Sequence, residues 1–217
     1  MAKQTKHKRP KKIAARSGKV SSAVKAALQM PVPQAPSLLK LNLGAGKSRI
    51  EGFLSVDTLP FEGLDVVADL RARWPWDDSS VSNIHASHVV EHFTAEERIH
   101  VFNEMYRVLA PAGTAYIITP HWNSQRAYGD LTHQWPPVSE FFYTYLWKEW
   151  RLQNAPHLDS QYNPTGFNCD FKWGGGYGIH EEVLKWNDER SQYAQKWYRD
   201  ACADIHMTIT SLKKPIE

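Results

Sequence analysis

The sequence has few cysteines, no long apolar run and, in its first 40 residues, no acid. Cys169 and Cys202 are the only cysteines among 217 residues. Because two cysteines are too few for a disulfide framework or a zinc ribbon, we expect two reduced thiols. The absence of a run of about 18 apolar residues and of a signal-peptide core predicts neither a membrane span nor secretion. With 42% hydrophobic residues, the chain can bury one sizeable core, and we expect one cytoplasmic domain.

The acid-free segment makes the charge distribution asymmetric. Residues 1–40 carry ten Lys and Arg side chains, whereas the other residues carry 16 basic and 23 acidic ones. Together with the proline-rich stretch MPVPQAPS at 30–37, this predicts a disordered basic arm and linker over 1–36 and a folded domain over 37–217. The arm has the charge to contact nucleic acid or another polyanion through counterion release. A solubilising leader and a nuclear-localisation signal are the alternative interpretations of the arm.

A glycine turn between two apolar runs is the most informative motif. The sequence LNLGAGKSRIEGFLSVD, at 41–57, predicts strands over 38–43 and 53–57 that flank Gly44-Ala45-Gly46. Such a turn lets the backbone approach a ligand closely, and the Asp57 carboxylate can accept hydrogen bonds from both hydroxyls of a ribose. Arg49 occupies the place of the third glycine of a dinucleotide fingerprint. The turn therefore suits S-adenosylmethionine better than NAD.

Three further strands and a helix follow in alternation. Strands are predicted over 65–68, 83–87 and 114–119, and a helix begins after Thr94, which forms a capping box with Glu97. Pro111 and Gly113 are expected to end this helix, with Gly113 supplying a permissive backbone conformation. The alternation predicts a Rossmann-like, doubly wound α/β fold with a mostly parallel sheet and helices on both faces. Ligands bind such sheets beyond the carboxyl ends of the strands.

From Leu41 to about Pro120 the chain resembles the class I S-adenosylmethionine-dependent methyltransferases, in particular the small members with an LNLGCG, HxxEH and LxPGG series. The matching segments are LNLGAG at 41–46, GFLSVD at 52–57, DL at 69–70, HVVEH at 88–92 and RVLAPAG at 107–113. The sequence departs from that series at Ala45, where relatives carry Cys, and at Ala112, where they carry Gly.

The resemblance implies an enzyme that transfers the sulfonium methyl of S-adenosyl-L-methionine to an unidentified acceptor. It implies cofactor contacts from Leu43, Gly44, Ala45, Gly46, Asp57, Thr58, Asp69, Leu70, Ser87 and His88. In this scheme Asp69 and the Leu70 backbone address the adenine, and Ser87 and His88 line the sulfonium side. Two other classes stay open: a nucleic-acid-directed methyltransferase recruited by the basic arm, and a non-catalytic protein that binds the cofactor and serves as a partner.

Histidines supply the candidate chemistry. The segment at 88–92 also spells H-x-x-E-H, a zinc motif in some metallopeptidases. Its position at a strand end, after a cofactor-type sequence, favours no metal, with Glu91 and His92 orienting one another or capping the helix. A base is needed only if the acceptor must lose a proton. The candidate catalytic residues are His88, His121 and His133, because imidazole titrates near neutral pH.

The second half of the domain is rich in aromatic residues. Seven of the nine tryptophans lie in 121–200, which predicts an aromatic-rich helical and loop insertion after strand five that selects the substrate. The segment at 129–133, GDLTH, resembles the family's D-P-T-H element. The aromatics predict either a water-excluding cap for a flat or sugar-like acceptor or ordinary packing. Residues 168–178, with three consecutive glycines, predict a mobile loop. The alternation at 205–210 predicts a last strand that returns to the sheet edge.

Overall fold

A computed structural model describes residues 38–215, so the arm predicted over 1–36 lies outside the described residues. The strands in this part of the chain are β1 (Leu39–Leu43), β2 (Leu54–Asp57), β3 (Val66–Val67), β4 (Val81–Ser87), β5 (Leu109–Pro120), β6 (Phe171–Ile179) and β7 (Cys202–Ser211). The helices are α1 (Ala95–Val108), α2 (Arg126–Gly129), α3 (Lys148–Asn154), α4 (Glu181–Leu184) and α5 (Asp188–Trp197). Short 3₁₀ turns lie at Val90–His92, Glu140–Leu146 and Pro156–Leu158. None of the helices in 38–215 has the length and apolar character needed to cross a bilayer.

The strands form one sheet in the order β3-β2-β1-β4-β5-β7-β6. Neighbours among β1 to β5 run parallel, whereas β7 runs antiparallel to both β5 and β6. After β3 the chain returns to the other side of β1 to form β4, so the strand order reverses between β1 and β4. A crevice outside the carboxyl ends of the strands at such a reversal is where ligands bind in sheets of this kind. The predicted mostly parallel α/β sheet is confirmed.

Helix α1 joins β4 to β5 and packs against one face of the sheet. The Thr94 hydroxyl accepts the Glu97 amide at 3.3 Å, and the Glu97 carboxylate accepts the Thr94 amide at 2.8 Å. This is the predicted capping box, and it satisfies two amides that have no partner within the helix. The apolar stripe of α1, which includes Val101, Phe102 and Met105, is fully buried in the core. Each such side chain contributes about 1.5–3 kcal/mol through removal from water.

The end of α1 differs from the prediction. The helix stops at Val108 and β5 begins at once at Leu109. Ala112, with φ of 59°, takes the left-handed conformation that Gly113 was predicted to supply. A Cβ atom on Gly113 would lie 2.9 Å from the Ala110 carbonyl oxygen. The predicted role of Gly113 was therefore wrong: Ala112 adopts the left-handed conformation of the turn, and Gly113 is needed because a side chain there would be too close to the Ala110 carbonyl.

Of the other connections, one differs from the prediction. Residues 44–53 and 58–65 join β1, β2 and β3 by turns, since about ten residues are too few for a crossover helix. The predicted mobile loop at 168–178 is wrong, because Phe171–Ile179 forms β6 and pairs along its length with β7. A Cβ atom on Gly175 would collide with the His206 carbonyl oxygen, so this glycine permits close strand contact. β7 returns to the sheet as expected, and β6 lies outside it at the edge.

A buried arginine holds together the insertion between β5 and β6. Arg151 is 0% exposed and binds the Asp159 carboxylate at 2.7 Å. It also donates to the carbonyls of Tyr145 at 2.6 Å and Cys169 at 2.9 Å. A buried charge needs both a partner and satisfied donors, and Arg151 has both. The insertion is therefore organised from within by one guanidinium.

Candidate active site

A cavity of about 630 Å³ opens beyond the carboxyl ends of β1, β2 and β4. This volume lies in the range of about 300–1,000 Å³ that small-molecule and cofactor sites occupy. Six of the ten residues predicted to contact a cofactor line the cavity: Gly44, Asp57, Thr58, Asp69, Leu70 and His88. They come from four separate segments of the chain, which the strand order brings to one edge.

The four other predicted residues, Leu43, Ala45, Gly46 and Ser87, do not line the cavity. Leu43 and Ala45 are buried, and the Ala45 amide donates to the Val56 carbonyl at 3.0 Å. Ser87 ends β4 and is paired in register with Ile118. These residues support the cavity wall through the sheet.

The glycine turn and Asp57 form one hydrogen-bonded unit. Gly44 and Gly46 have φ of 58° and 50°, values that L side chains rarely adopt. A Cβ atom on Gly44 would collide with the Val89 side chain. The Asp57 carboxylate accepts the Gly46 amide at 2.9 Å and the Leu59 amide at 3.2 Å, one on each oxygen. Each oxygen keeps a further lone pair with which it can accept a ligand hydroxyl.

An arginine that the sequence did not single out borders the cavity next to Asp69. The Asp69 carboxylate accepts the Arg71 amide at 2.9 Å. The Arg71 side chain donates to Glu97 at 2.9 Å and its guanidinium lies 5.0 Å from the centre of the Phe93 ring. Because Arg71 is held on two sides, it forms a fixed wall of the cavity, and Phe93 contributes an apolar surface beside it.

A second edge of the cavity comes from a segment distant in sequence. Leu131, Thr132 and Gln134 line the cavity, and Leu131 is 99% exposed. The buried Arg98 ties this segment to the turn after β4. Its guanidinium donates to the carbonyls of Val90 at 3.2 Å, Gln134 at 3.2 Å and Pro136 at 2.5 Å. The GDLTH motif indicated the segment, but nothing in the sequence marked Arg98, which looks like any arginine of a helix.

His88 and Glu91 form a hydrogen-bonded pair at the cavity wall. His88 follows β4 with φ of 55°, a conformation that is uncommon for a residue other than glycine. Its Nδ1 lies 3.1 Å from Glu91 Oε1, and Glu91 is 4% exposed. Because a carboxylate oxygen accepts, His88 Nδ1 carries a proton, and in the neutral imidazole Nε2 has the lone pair. His88 therefore presents an acceptor nitrogen, with Asp204 3.9 Å from it.

A polar cavity of about 320 Å³ adjoins the first one and shares His88 and His92 with it. Glu91, Arg126, Asp130 and His133 are among its other lining residues. The Arg126 guanidinium donates to both Asp204 oxygens, at 2.8 and 2.9 Å. The structure thus places two of the three predicted catalytic histidines, His88 and His133, around one cavity.

His121, the third of these histidines, lies elsewhere. It is 4% exposed, its Nδ1 accepts the Asn123 amide at 3.1 Å, and its Nε2 lies 3.3 Å from Glu140. Although burial opposes ionisation of Glu140, hydrogen bonds from His121 and Tyr177 lower its pKa to about 2. Burial, together with Glu140, raises the pKa of Tyr177 to about 12. Both ring nitrogens of His121 are engaged in a structural polar cluster, away from the two cavities above.

The aromatic residues of the insertion divide into two groups. Tyr143, Phe167 and Phe171 are buried in the main core, as the packing interpretation predicts. Four others line an open groove of about 460 Å³: Trp122, Tyr128, Trp135 and Phe141. Trp135 is 77% exposed. The sequence alone does not distinguish the buried aromatic residues from those that line the groove, because both groups come from the same aromatic-rich segment.

Residues 49–117 match the family described as "Methyltransferase domain". This stretch begins three residues after the glycine turn, ends within β5 and includes Asp57, Asp69 and His88. No curated protein matches the sequence.

Several solved structures are similar to this chain over most of its length. A S-adenosylmethionine-dependent methyltransferase from Archaeoglobus fulgidus is 19% identical, with a TM-score of 0.52, over 87% of this chain and 93% of that one. A methyltransferase of Haloferax volcanii, in complex with the activator Trm112, is 14% identical with a TM-score of 0.41 over 90% of both chains. Phosphoethanolamine N-methyltransferase 2 of Haemonchus contortus is 15% identical with a TM-score of 0.39, over 85% of this chain and 50% of that one.

Proposed function

We propose a site for methyl transfer in this chain, which belongs to the class I S-adenosylmethionine-dependent methyltransferases. The enzyme uses S-adenosyl-L-methionine as methyl donor and an acceptor that is not identified. The proposal assigns residues to the parts of this cofactor. The adenosyl group occupies the 630 Å³ cavity, and the Asp57 carboxylate accepts hydrogen bonds from the ribose hydroxyls. Asp69 and the Leu70 backbone face the adenine, and the turn at Gly44 approaches the methionine part.

The free acceptor capacity of Asp57 supports this orientation. Its two oxygens are held by the Gly46 and Leu59 amides, so the carboxylate is preorganised and loses little freedom on binding. Arg71 and Phe93 close the adenine side with a fixed cation and an apolar ring. Leu43, Ala45, Gly46 and Ser87 contribute by shaping the turn and the strand ends.

The observation that carries the proposal is the position of His88 in the wall shared by the two cavities. A group there borders the proposed cofactor cavity on one side and the polar cavity on the other, where it would lie between methyl donor and acceptor. Its strained backbone, with φ of 55°, is of a kind that persists at functional sites. Glu91 fixes the imidazole with Nε2 free, so His88 is the proposed base, with His133 facing the acceptor from the other side of the polar cavity.

Methyl transfer at this site is an in-line displacement. When bound, S-adenosyl-L-methionine would supply an electrophilic methyl group: the lone pair of the acceptor would bond to the methyl carbon, and the sulfur would keep the electron pair of the broken carbon–sulfur bond as a neutral thioether. Where the acceptor is a hydroxyl or a protonated amine, its proton passes to His88 Nε2. Positioning and exclusion of water supply much of the acceleration in such a reaction. Leu131 and Thr132, at the mouth of the larger cavity, are the residues that would limit water access.

The test separates cofactor binding from transfer. His88→Ala should still bind S-adenosylmethionine and S-adenosylhomocysteine in calorimetry, because the contacts proposed for Asp57, Asp69 and the turn at Gly44 remain. A panel of small hydroxyl, amine and thiol compounds identifies the acceptor. The rate at which His88→Ala transfers labelled methyl to that acceptor should be at least about 100-fold below the wild-type rate, since general bases contribute about 10²–10⁴-fold. His157→Ala, a change of an exposed histidine in the 3₁₀ turn at Pro156–Leu158, is the control. Full transfer activity in the His88 variant would refute the assignment of the base.

Recruitment of nucleic acid by residues 1–36 and a cytoplasmic location stay predictions. The charge of the arm supports the first. Two buried, unpaired cysteines support the second.

A further inference from the structure

Three side chains at the boundary of the two cavities bring donor atoms together. One carboxylate oxygen of Glu91 and one ring nitrogen each of His92 and His133 lie within 4.8 Å of one another. The rings of His92 and His133 are 4.8 Å apart, centre to centre, and meet edge to face. Glu91 also binds the proposed base His88 through its other carboxylate oxygen, Oε1, and His133 also lines the polar cavity.

The hydrogen bonds around the two histidines fix which nitrogen is free. Thr132 Oγ1 donates to Asp130 at 2.7 Å, so it can only accept from His92 Nδ1, which lies 2.9 Å away. His133 Nδ1 lies 3.3 Å from the Ala127 carbonyl oxygen, which also only accepts. Both Nδ1 atoms therefore carry protons, so the Nε2 atom is the one that has the lone pair when each imidazole is neutral. This is the tautomer that metal-ligating histidines adopt when a neighbouring oxygen holds the other nitrogen.

Glu91 supplies a second, independent observation. It is 4% exposed, and its Oε2 atom has no hydrogen-bond partner among the described residues. A buried carboxylate oxygen without a partner is costly. Arg98 lies close enough to act on Glu91 electrostatically, but its donors go to the carbonyls of Val90, Gln134 and Pro136. The cluster thus combines a buried carboxylate that has one oxygen without a partner with two histidines whose Nδ1 atoms are already engaged.

We propose that Glu91, His92 and His133 bind one divalent transition-metal ion, with Zn²⁺ as the species tested below. Two imidazoles and a carboxylate suit zinc and related metals rather than Mg²⁺ or Ca²⁺, which take oxygen ligands. Around zinc, ligand atoms at about 2.0–2.2 Å are about 3.3 Å apart, so a modest rotation of the rings closes the set. This proposal departs from the sequence-based prediction of no metal, which stays untested, and its histidine ligands are His92 and His133 rather than the His88 and His92 of the H-x-x-E-H motif.

The surrounding scaffold holds the three ligands in place. Glu91 and His92 belong to the 3₁₀ turn after β4, and His133 belongs to the segment before the insertion. Arg98 binds the carbonyls of Val90 and Gln134, the neighbours of Glu91 and His133. The Gln134 amide also donates to the Glu91 carbonyl at 2.8 Å. These contacts fix the distance between the two segments, as a preorganised metal site requires.

Three protein ligands leave a tetrahedral ion one open position. All three residues line the polar cavity that His88 shares, so the open position faces the space proposed for the acceptor. An acceptor with an oxygen donor, such as a hydroxyl or a carboxylate, is the chemical class that this position would take. The proposed metal site does not depend on the proposed function, because neither its ligands nor its test involves S-adenosylmethionine.

The test uses the full chain without a histidine tag, stripped of metal by a chelator and titrated with Zn²⁺ or Co²⁺. Wild type should bind one equivalent of either ion, with Co²⁺ giving visible d–d bands of an imidazole site. His133→Ala should weaken Zn²⁺ binding by at least about 100-fold, since loss of a group that merely orients a ligand costs about 10–100-fold. Thr132→Ala keeps all three ligands and should weaken binding by about tenfold.

Thermal unfolding provides a readout besides metal affinity. Excess Zn²⁺ should raise the melting temperature of wild type and of His157→Ala, and leave that of His133→Ala unchanged. Because the comparison is made within each variant, it holds even if a substitution lowers stability. Stoichiometric binding that survives in His133→Ala, equal losses in His157→Ala, or no binding by wild type would each overturn the proposal.

Discussion

Gly46 donates its backbone amide to the Asp57 carboxylate across 2.9 Å, which links the turn after β1 to the acid that ends β2. The two residues are eleven positions apart, and the parallel pairing of β1 with β2 brings them together. The Asp57 carboxylate can reach a ribose hydroxyl only if the turn after β1 and the end of β2 keep these relative positions. The cofactor cavity therefore depends on backbone geometry as much as on side chains.

Replacement of Asp57 tests its proposed role on the ribose. Asp57→Ala removes a charged acceptor of two hydrogen bonds and should weaken the binding of both S-adenosylmethionine and S-adenosylhomocysteine by about 1.5–3 kcal/mol. Titration calorimetry measures the change directly. Asp77→Ala, which alters an exposed aspartate outside the cavity lining, should leave both affinities unchanged. Equal affinity of wild type and Asp57→Ala would place the ribose elsewhere.

Replacement of Gly44 tests the turn itself. Gly44→Ala puts a Cβ atom into the Val89 side chain at a residue with φ of 58°. We expect a loss of about tenfold or more in cofactor affinity, together with a lower melting temperature, because the left-handed conformation alone costs about 1–2 kcal/mol. Adding Val89→Ala should recover part of the loss by removing the clash. Gly129→Ala, where a Cβ atom meets nothing within 4 Å, is the control. No recovery in the double variant would show that steric contact with Val89 is not the cause.

The sequence predicted the parts of the site that depend on local pattern. Asp57 and the glycine turn could be identified because an apolar run, a turn and an acid follow one another directly. Thr94 and Glu97 could be identified as a capping box for the same reason. The position of these residues at one edge then followed from the parallel sheet.

Contacts between distant segments could not be predicted. Arg98, which braces the turn after β4 against the segment around Gln134, has no local signature. His121 carries the same residue type as His88, but the cluster with Glu140 and Tyr177 occupies its ring. The three glycines of β6 predicted a loop because glycine permits turns and also permits close strand pairing. The grouping of Glu91, His92 and His133 required the fold, since His133 is some forty residues from the others.

The insertion should depend on Arg151 for stability. Arg151→Met removes the partner of a buried carboxylate, Asp159, and leaves two carbonyls without their donor. Breaking a buried ion pair of this kind costs about 3–5 kcal/mol, so the urea midpoint should fall sharply. Lys185→Met, which breaks an ion pair with Glu182 whose side chains are 63% and 66% exposed, should change stability by less than about 1 kcal/mol. Similar small effects of both variants would mean that the insertion does not rely on this ion pair.

The pH dependence of stability should carry the signature of Glu140. Its pKa lies at about 2, below the ordinary value of 4.5, because hydrogen bonds from His121 and Tyr177 outweigh the effect of burial. A carboxylate with a depressed pKa in the folded state contributes stability above pH 4.5, and this contribution is lost as the pH falls towards 2. In Glu140→Gln the free energy of unfolding should be lower near neutral pH and should fall less steeply between pH 4.5 and 2. Urea titrations at a series of pH values measure this slope, and Glu149→Gln, a change of an exposed glutamate in α3, should follow wild type. If Glu140→Gln and wild type have parallel slopes across the window, hydrogen bonds to the ionised Glu140 carboxylate do not stabilise the folded chain.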